Sequence, residues 1–294
     1  MEFEFIQVTN KTYYFNDTNR VLLYKTGEKS VVLCDSGKNT NAGKKILKII
    51  NDRGWKLESI YLSHSHADHM GGAAYLKEQT GCSVYAPEFE RHLSVPTLIE
   101  PGFMYGGFPP KEMCLPFLCA EPCETKLLSE DVLPSGLEMF PLPGHTFNMY
   151  GFKTDDDIYF LADAYVGSEI LSKHPVSFLY DVEKYLETLD MLEQKKGDYF
   201  IASHAIPSNN IESVISKNRK NVLEVIDTIV KILKEEDCNY DQLLAKVFTH
   251  FKLVMNFIQH YLVGCIIKSY LMYLRNEGLI DTKVVDNQLL WYGL

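Results

Sequence analysis

The sequence has no uninterrupted apolar run near the roughly 18 residues that a membrane helix needs. Its most apolar stretch, residues 253–267, is broken by Asn256, Gln259, His260 and Gly264 and reads as a buried helix, so no membrane role is expected. Secretory-leader features are missing too, since residues 1–8 carry two glutamates and neither a basic nor a long apolar region. There is no long basic run, and 39 acidic residues against 29 basic ones leave a net charge of −10. Binding to nucleic acid leans on phosphate neutralisation, so that partner is disfavoured and a small molecule is expected instead. A paired cysteine framework is also absent. Seven cysteines is an odd count, which fits a reducing compartment and a cytoplasmic location.

What is present is the composition of a globular protein, 46% hydrophobic, with 294 residues to build more than one average domain. Short β-rich runs at residues 21–24, 31–34, 60–62 and 83–86 alternate with helical spacing at 41–51 and 71–79. Residues 88–134 break this rhythm. They hold Pro96, Pro101, Pro109, Pro110, Pro116 and Pro122 and the pair Gly106-Gly107, and read as a lid or side wall over a site. Strand pattern resumes at 137–140, 150–152 and 158–162, followed by a helix at 182–194 and a strand at 199–202. Beyond Pro207 the chain is almost wholly helical, then closes with two β-rich runs flanking Asp286-Asn287, a hairpin signal. The expectation is a catalytic domain over 1–207 and a helical, winged-helix-like domain over 208–294. The last helix, with only Lys268 and Arg275 basic around residues 266–276, lacks the charge of a groove-reading helix. The tail is expected to close a pocket or mediate homodimerisation.

Three of the nine histidines fall within six residues, in His64-Ser65-His66-Ala67-Asp68-His69 directly after a strand. Alternate positions of an extended segment face the same way, so His64, His66 and Asp68 can converge on one point, with His69 turned toward a neighbouring one. Imidazole and carboxylate are ligands for zinc and other divalent first-row metals, and a metal resolves the crowding of polar groups here. His145, Asp163 and His204 each follow an apolar run, where α/β architectures place their sites. Five histidines and two aspartates suffice for two adjacent metals that share a carboxylate.

In the order Cys34-Asp35-Ser36-Gly37, the histidine run, Pro143-Gly144-His145-Thr146, Leu161-Ala162-Asp163 and Ser203-His204, the chain resembles the metallo-β-lactamase-fold hydrolase superfamily over residues 10–206. That superfamily includes glyoxalase II, lactonases and lactamase-like proteins. The resemblance implies an α/β fold, a four-layer αββα sandwich with the site at one edge of its two sheets. It implies one metal at His64, His66 and His145, a second at Asp68, His69 and His204, and Asp163 bridging. Asp35 matches the family's supporting aspartate, which would orient the histidine loop. Zinc is the expected metal, with iron or manganese as alternatives. Phe147 and Asn148 stand where family members often carry glycine or proline and would shape the substrate mouth differently.

Two ions about 4 Å apart can hold a hydroxide between them, polarise a substrate oxygen and stabilise a leaving group. Asp68 is expected to orient the nucleophile or shuttle a proton besides ligating. Tyr165, two residues after Asp163, is a candidate oxyanion donor. His174 is the remaining histidine expected at the pocket. Cys114, Cys119 and Cys123 match no zinc or cluster spacing and read as free thiols. The expected function is hydrolysis of a small ester, thioester or lactone, with cleavage of single-stranded RNA as the alternative. Di-iron oxygen or nitric-oxide reduction is disfavoured, because that branch puts glutamate where His66 stands. A non-catalytic metal binder is disfavoured because no ligand is missing.

Overall fold

The computed structural model describes residues 3–294. A seven-stranded sheet runs β1 (Glu4–Gln7), β2 (Thr12–Asn16), β3 (Arg20–Lys25), β4 (Ser30–Cys34), β5 (Lys56–Tyr61), β6 (Ser83–Ala86) and β7 (Lys126–Leu127), in sequence order. Its first four strands are antiparallel neighbours, and β4 to β7 are parallel. A second sheet has the order β11 (Tyr199–His204), β10 (Ile158–Val166), β9 (Tyr150–Thr154), β8 (Leu137–Pro141).

The period-2 alternation of strand side chains explains the layering. From the first sheet, Tyr13, Phe15, Val21, Leu23, Val31 and Leu33 enter one core. Their sequence neighbours Tyr14, Leu22, Tyr24, Val32 and Cys34 enter another, where they meet Phe152, Ile158 and Phe160 of the second sheet. A sheet apolar on both faces must be covered on both. Helix α1 (Thr40–Asp52), capped by the Asn39 side chain, buries Ile46, Leu47 and Ile50 in the outer core. The arrangement is the expected α/β sandwich of helix, sheet, sheet and helix.

The histidine run does not stay extended. Helix α2 (Ala67–Met70) begins inside it, and α3 (Ala73–Thr80) follows. Asp68 therefore sits in a helical turn, not in one extended row with His64 and His66, which corrects the alternation argument for that residue. Gly71 and Gly72 make the turn fit. A Cβ on Gly71 would lie 2.4 Å from the Lys38 carbonyl, and one on Gly72 would lie 2.2 Å from the Ser36 oxygen. Residues 88–134 contain more regular structure than their prolines suggest, namely α4 (Glu88–Arg91), α5 (Ile99–Tyr105) and the edge strand β7.

After α6 (Ser168–Lys173) and α7 (Val182–Glu193), the tail comprises α8 (Glu212–Glu235), α9 (Tyr240–His250), α10 (Phe257–Asn276) and a hairpin of β12 (Ile280–Val285) and β13 (Gln288–Gly293). One apolar cluster crosses residue 208 without a break. It joins Phe200 and Ile201 to Ile215, Val222 and Ile229 of α8, and these to Ile267 and Tyr270 of α10 and Trp291 of β13. Among the described residues, no helix is long and apolar enough to cross a membrane.

Candidate metal centre

Side chains from five separate segments meet here, and β10 runs on past Ala162 to Val166, so Asp163 lies within that strand and not after its end as the sequence pattern suggests. His64 and His66 lie in the loop after β5, Asp68 and His69 in α2, His145 between β8 and β9, Asp163 in β10 and His204 at the end of β11. They form two groups of ligand-capable atoms, each within 4.8 Å of one another: His64, His66, His145 and Asp163, and then Asp68, His69 and His204. In the first, His66 Nδ1 is 3.0 Å from His64 Nε2 and 3.1 Å from His145 Nε2. In the second, Asp68 Oδ2 is 3.0 Å from His204 Nε2 and 3.6 Å from His69 Nε2. Asp163 touches both. Its Oδ2 is 3.4 Å from both His145 Nε2 and His204 Nε2, while its Oδ1 is 3.2 Å from His69 Nε2.

The opposite ring nitrogens are held from behind, and this selects the atom each imidazole turns inward. His69 Nδ1 is 2.7 Å from Asp35 Oδ2. His64 Nδ1 is 2.9 Å from the Ser63 hydroxyl, which itself donates to Asp35 Oδ2. His145 Nδ1 and His204 Nδ1 lie 3.2 Å from the carbonyls of Phe178 and Thr18. These four therefore present Nε2. His66 is reversed, presenting Nδ1 while its Nε2 lies 3.6 Å from Glu100 Oε1.

The site's electrostatics follow from burial. Desolvation pushes the imidazoles of His66 and His145 down to about 4 and His64 well below its ordinary value. His69 and His204 move up instead, because against the same desolvation they face the carboxylates of Asp163 and Asp68. Despite burial, the histidines hold Asp163 well below the usual carboxylate range and Asp68 down to about 2. His69 Nε2 and Asp163 Oδ1 are buried, yet neither has a hydrogen-bond partner. Orphaned atoms aimed at a shared point, in a set of five imidazoles and two carboxylates, fit divalent metal ions.

Two carboxylates near the site were not found in the sequence. Glu90, with no exposed surface, accepts from the Ser65 N–H and hydroxyl through Oε2 and from the Asn148 N–H through Oε1. It ties the histidine run to the His145 loop. Glu100 lies between the metal cavity and a smaller adjoining pocket. Both come from the proline-rich segment, where nothing in the spacing marks them.

Tyr165 is a correction. It is buried in the core, where the nearest charge acting on it is Arg20, and it is not among the residues lining the cavity. Ala162 has a φ of 45° and the pairing of β10 with β11 shifts register on either side of it, so spacing of two from Asp163 does not ensure a shared face. His174 does line the cavity. Phe147 lines the smaller pocket, its ring 4.3 Å from that of Tyr180. Cys114, Cys119 and Cys123 are free and lie outside both donor groups.

Residues 15–204 match the family described as the metallo-beta-lactamase superfamily. Among curated proteins, the chain is 50% identical over 42 residues to a hydroxyacylglutathione hydrolase of Rhodopseudomonas palustris, covering 14% of this chain and 16% of that protein. It is 28% identical over 120 residues to another from Cereibacter sphaeroides, covering 40% and 38%. The chain thus spans well under two thirds of the length of these relatives. Among solved structures, a beta-lactamase domain protein from Burkholderia ambifaria superposes with a TM-score of 0.72 at 15% identity, over 99% of this chain and 94% of that one. A metallo-beta-lactamase family protein from Thermus thermophilus gives 0.69 at 16%, over 100% and 98%. A metallo-beta-lactamase from Pontibacter korlensis gives 0.56 at 15% identity, over 76% of this chain and 99% of that one. In the first two the likeness of fold extends through the helical tail.

Proposed function

The chain belongs to the metallo-β-lactamase superfamily, and from that premise we propose that it is a dinuclear metal-dependent hydrolase of a small ester, thioester or lactone. The observation that carries this is Asp163, whose two carboxylate oxygens face the two donor groups at once. His64, His66 and His145 would hold one ion, and Asp68, His69 and His204 the other, with Asp163 between them. Zinc suits this donor set, and iron or manganese would also be accepted by it. When bound, such ions lower the pKa of a water and polarise the acyl carbonyl.

The chain's own residues supply the rest. Asp68 stays ionised across the working range, with Oδ2 turned to His204 and His69. Its Oδ1 is the atom that orients the attacking water and passes its proton to the leaving oxygen or sulfur. Asp35 and Ser63 hold two of the imidazoles in the tautomer that leaves Nε2 free. Met104, Phe178 and α10 wall one side of the cavity where the acyl group would lie.

The test is elemental analysis of reconstituted protein beside turnover of thioesters, lactones, phosphodiesters and labelled single-stranded RNA. Close to two ions per chain and acyl hydrolysis abolished by His66→Ala are expected. Fewer than one ion per chain would sink the two-metal site, and RNA cleavage that His66→Ala abolishes would replace the acyl substrate.

A further inference from the structure

The cavity over the donor groups has a volume of about 540 Å³, within the size range of sites that enclose small organic ligands. Its floor is ionisable, with His66, Asp68, His145 and Asp163. Its walls are not. Helix α10 contributes Ile258, Leu262, Val263 and Ile266, spaced so that they form one stripe along the helix. Met104 and Leu118 come from the proline-rich segment and Phe178 from the loop after α6, and Leu262 and Phe178 pack against the cluster that Met104 and Leu118 form. Leu253, Ile258 and Leu262 are only half-buried. Apolar walls facing an open cavity forgo burial that an apolar ligand there would restore.

Charge narrows the ligand further. Neither this cavity nor the smaller pocket beside it is lined by a lysine or an arginine. Glu100, with a side chain only 13% exposed, stands where the two meet. An anionic group held among these walls, away from the floor that the metal ions would occupy, would therefore find no lysine or arginine and would lose its hydration without compensation. Glutathione carries free carboxylates, so a glutathione thioester of the kind named by the curated relatives fits these walls poorly.

Building on the hydrolase reading above, we infer that the site takes uncharged acyl substrates with an extended apolar chain, seated between α10 and Met104, Leu118 and Phe178, and rejects substrates with an anionic tail.

Two measurements on the metal-reconstituted protein test this separately. The first is calorimetric titration with straight-chain amides from acetamide to octanamide. Affinity should rise about fourfold per methylene. Leu262→Asp should flatten that rise, and Leu262→Phe should cap it at a shorter chain. Leu262 is half-buried, so both variants are expected to fold, and circular dichroism checks this. The second is kcat/KM for nitrophenyl esters of the same acyl series beside the matching acyl-glutathione thioesters. Affinity independent of chain length, or a preference for the glutathione thioesters, overturns the inference and leaves the hydrolase reading standing. A clear rise in amide affinity with no turnover of any ester has the opposite consequence: the apolar site stands and the hydrolase reading falls.

Discussion

His69 Nδ1 and Asp35 Oδ2 lie 2.7 Å apart with both side chains wholly shut off from solvent. The same carboxylate accepts from the Ser63 N–H and hydroxyl, and through Ser63 it reaches His64. One aspartate thus steers a histidine of each donor group. Asp35 also has a φ of 67°, a conformation asparagine tolerates as well as aspartate does. Asp35→Asn therefore removes the charge with little change in shape, while setting one amide N–H against a donor, the Ser63 N–H or the Ser63 hydroxyl and His69 Nδ1. Metal affinity in this variant, read by chelator competition, should fall about 10- to 100-fold. An unchanged affinity would reduce Asp35 to a turn residue.

Metal uptake should release protons, and they should come from one donor group. His66 and His145 sit at about 4 and His64 well below its ordinary value, so all three are already neutral at pH 7. Asp68 and Asp163 are already ionised. His69 and His204 are raised, so each still carries its second proton at pH values where a free imidazole has begun to lose it. A metal must displace those protons, and apparent affinity falls as pH drops through the raised values. Calorimetry in buffers of different ionisation enthalpy should count about one to two protons released per chain at pH 7. A count of zero would mean that the carboxylates do not hold His69 and His204 in the charged form.

Glu90 joins the Ser65 loop to a loop 58 residues beyond Glu90 itself, since its Oε1 accepts the Asn148 N–H. Every group turned toward its carboxylate is a donor. Glu90→Gln replaces one acceptor with an amide N–H that opposes a donor in a site closed to water. The expected cost is about 2 kcal/mol in denaturant midpoint analysis. kcat should fall as well, because Ser65 lies between His64 and His66. A loss of stability with kcat intact would make the clamp structural only.

That these seven side chains come together was legible because metal chemistry restricts residue type and because most of them sit where a strand hands over to a connection. Local chemistry also marked the terminal hairpin, whose Asp286 and Asn287 both take positive φ, 49° and 58°, as a two-residue turn requires. What the sequence hid depends on tertiary approach. Glu90 and Glu100 reach the site only because their segment folds over it, and no spacing encodes that. Helix α2 is four residues long, too short to show a period, so Asp68 looked extended. Strand β1 is an edge strand of four residues, half-exposed, whose identity comes from its pairing with β2.

Tyr165 gives the cleanest separation between what the sequence suggested and what the structure places there. A tyrosine donating to a developing oxyanion would, on removal of its hydroxyl, cost about 10²- to 10³-fold in kcat. In this fold its side chain is 1% exposed among Ala164, Ile201 and the rest of the core, and burial pushes its hydroxyl far above the usual range. Such a group neither reaches the cavity nor ionises. Tyr165→Phe should therefore leave kcat/KM within about twofold of the parent, and its effect should appear in thermal stability, where a swap that nearly conserves core volume costs less than about 1.5 kcal/mol. A loss of two orders of magnitude in kcat with an unchanged melting temperature would place the hydroxyl at the reacting carbonyl after all. That result would require β10 to turn in the complex so that Asp163 and Tyr165 share a face, undoing the irregularity at Ala162.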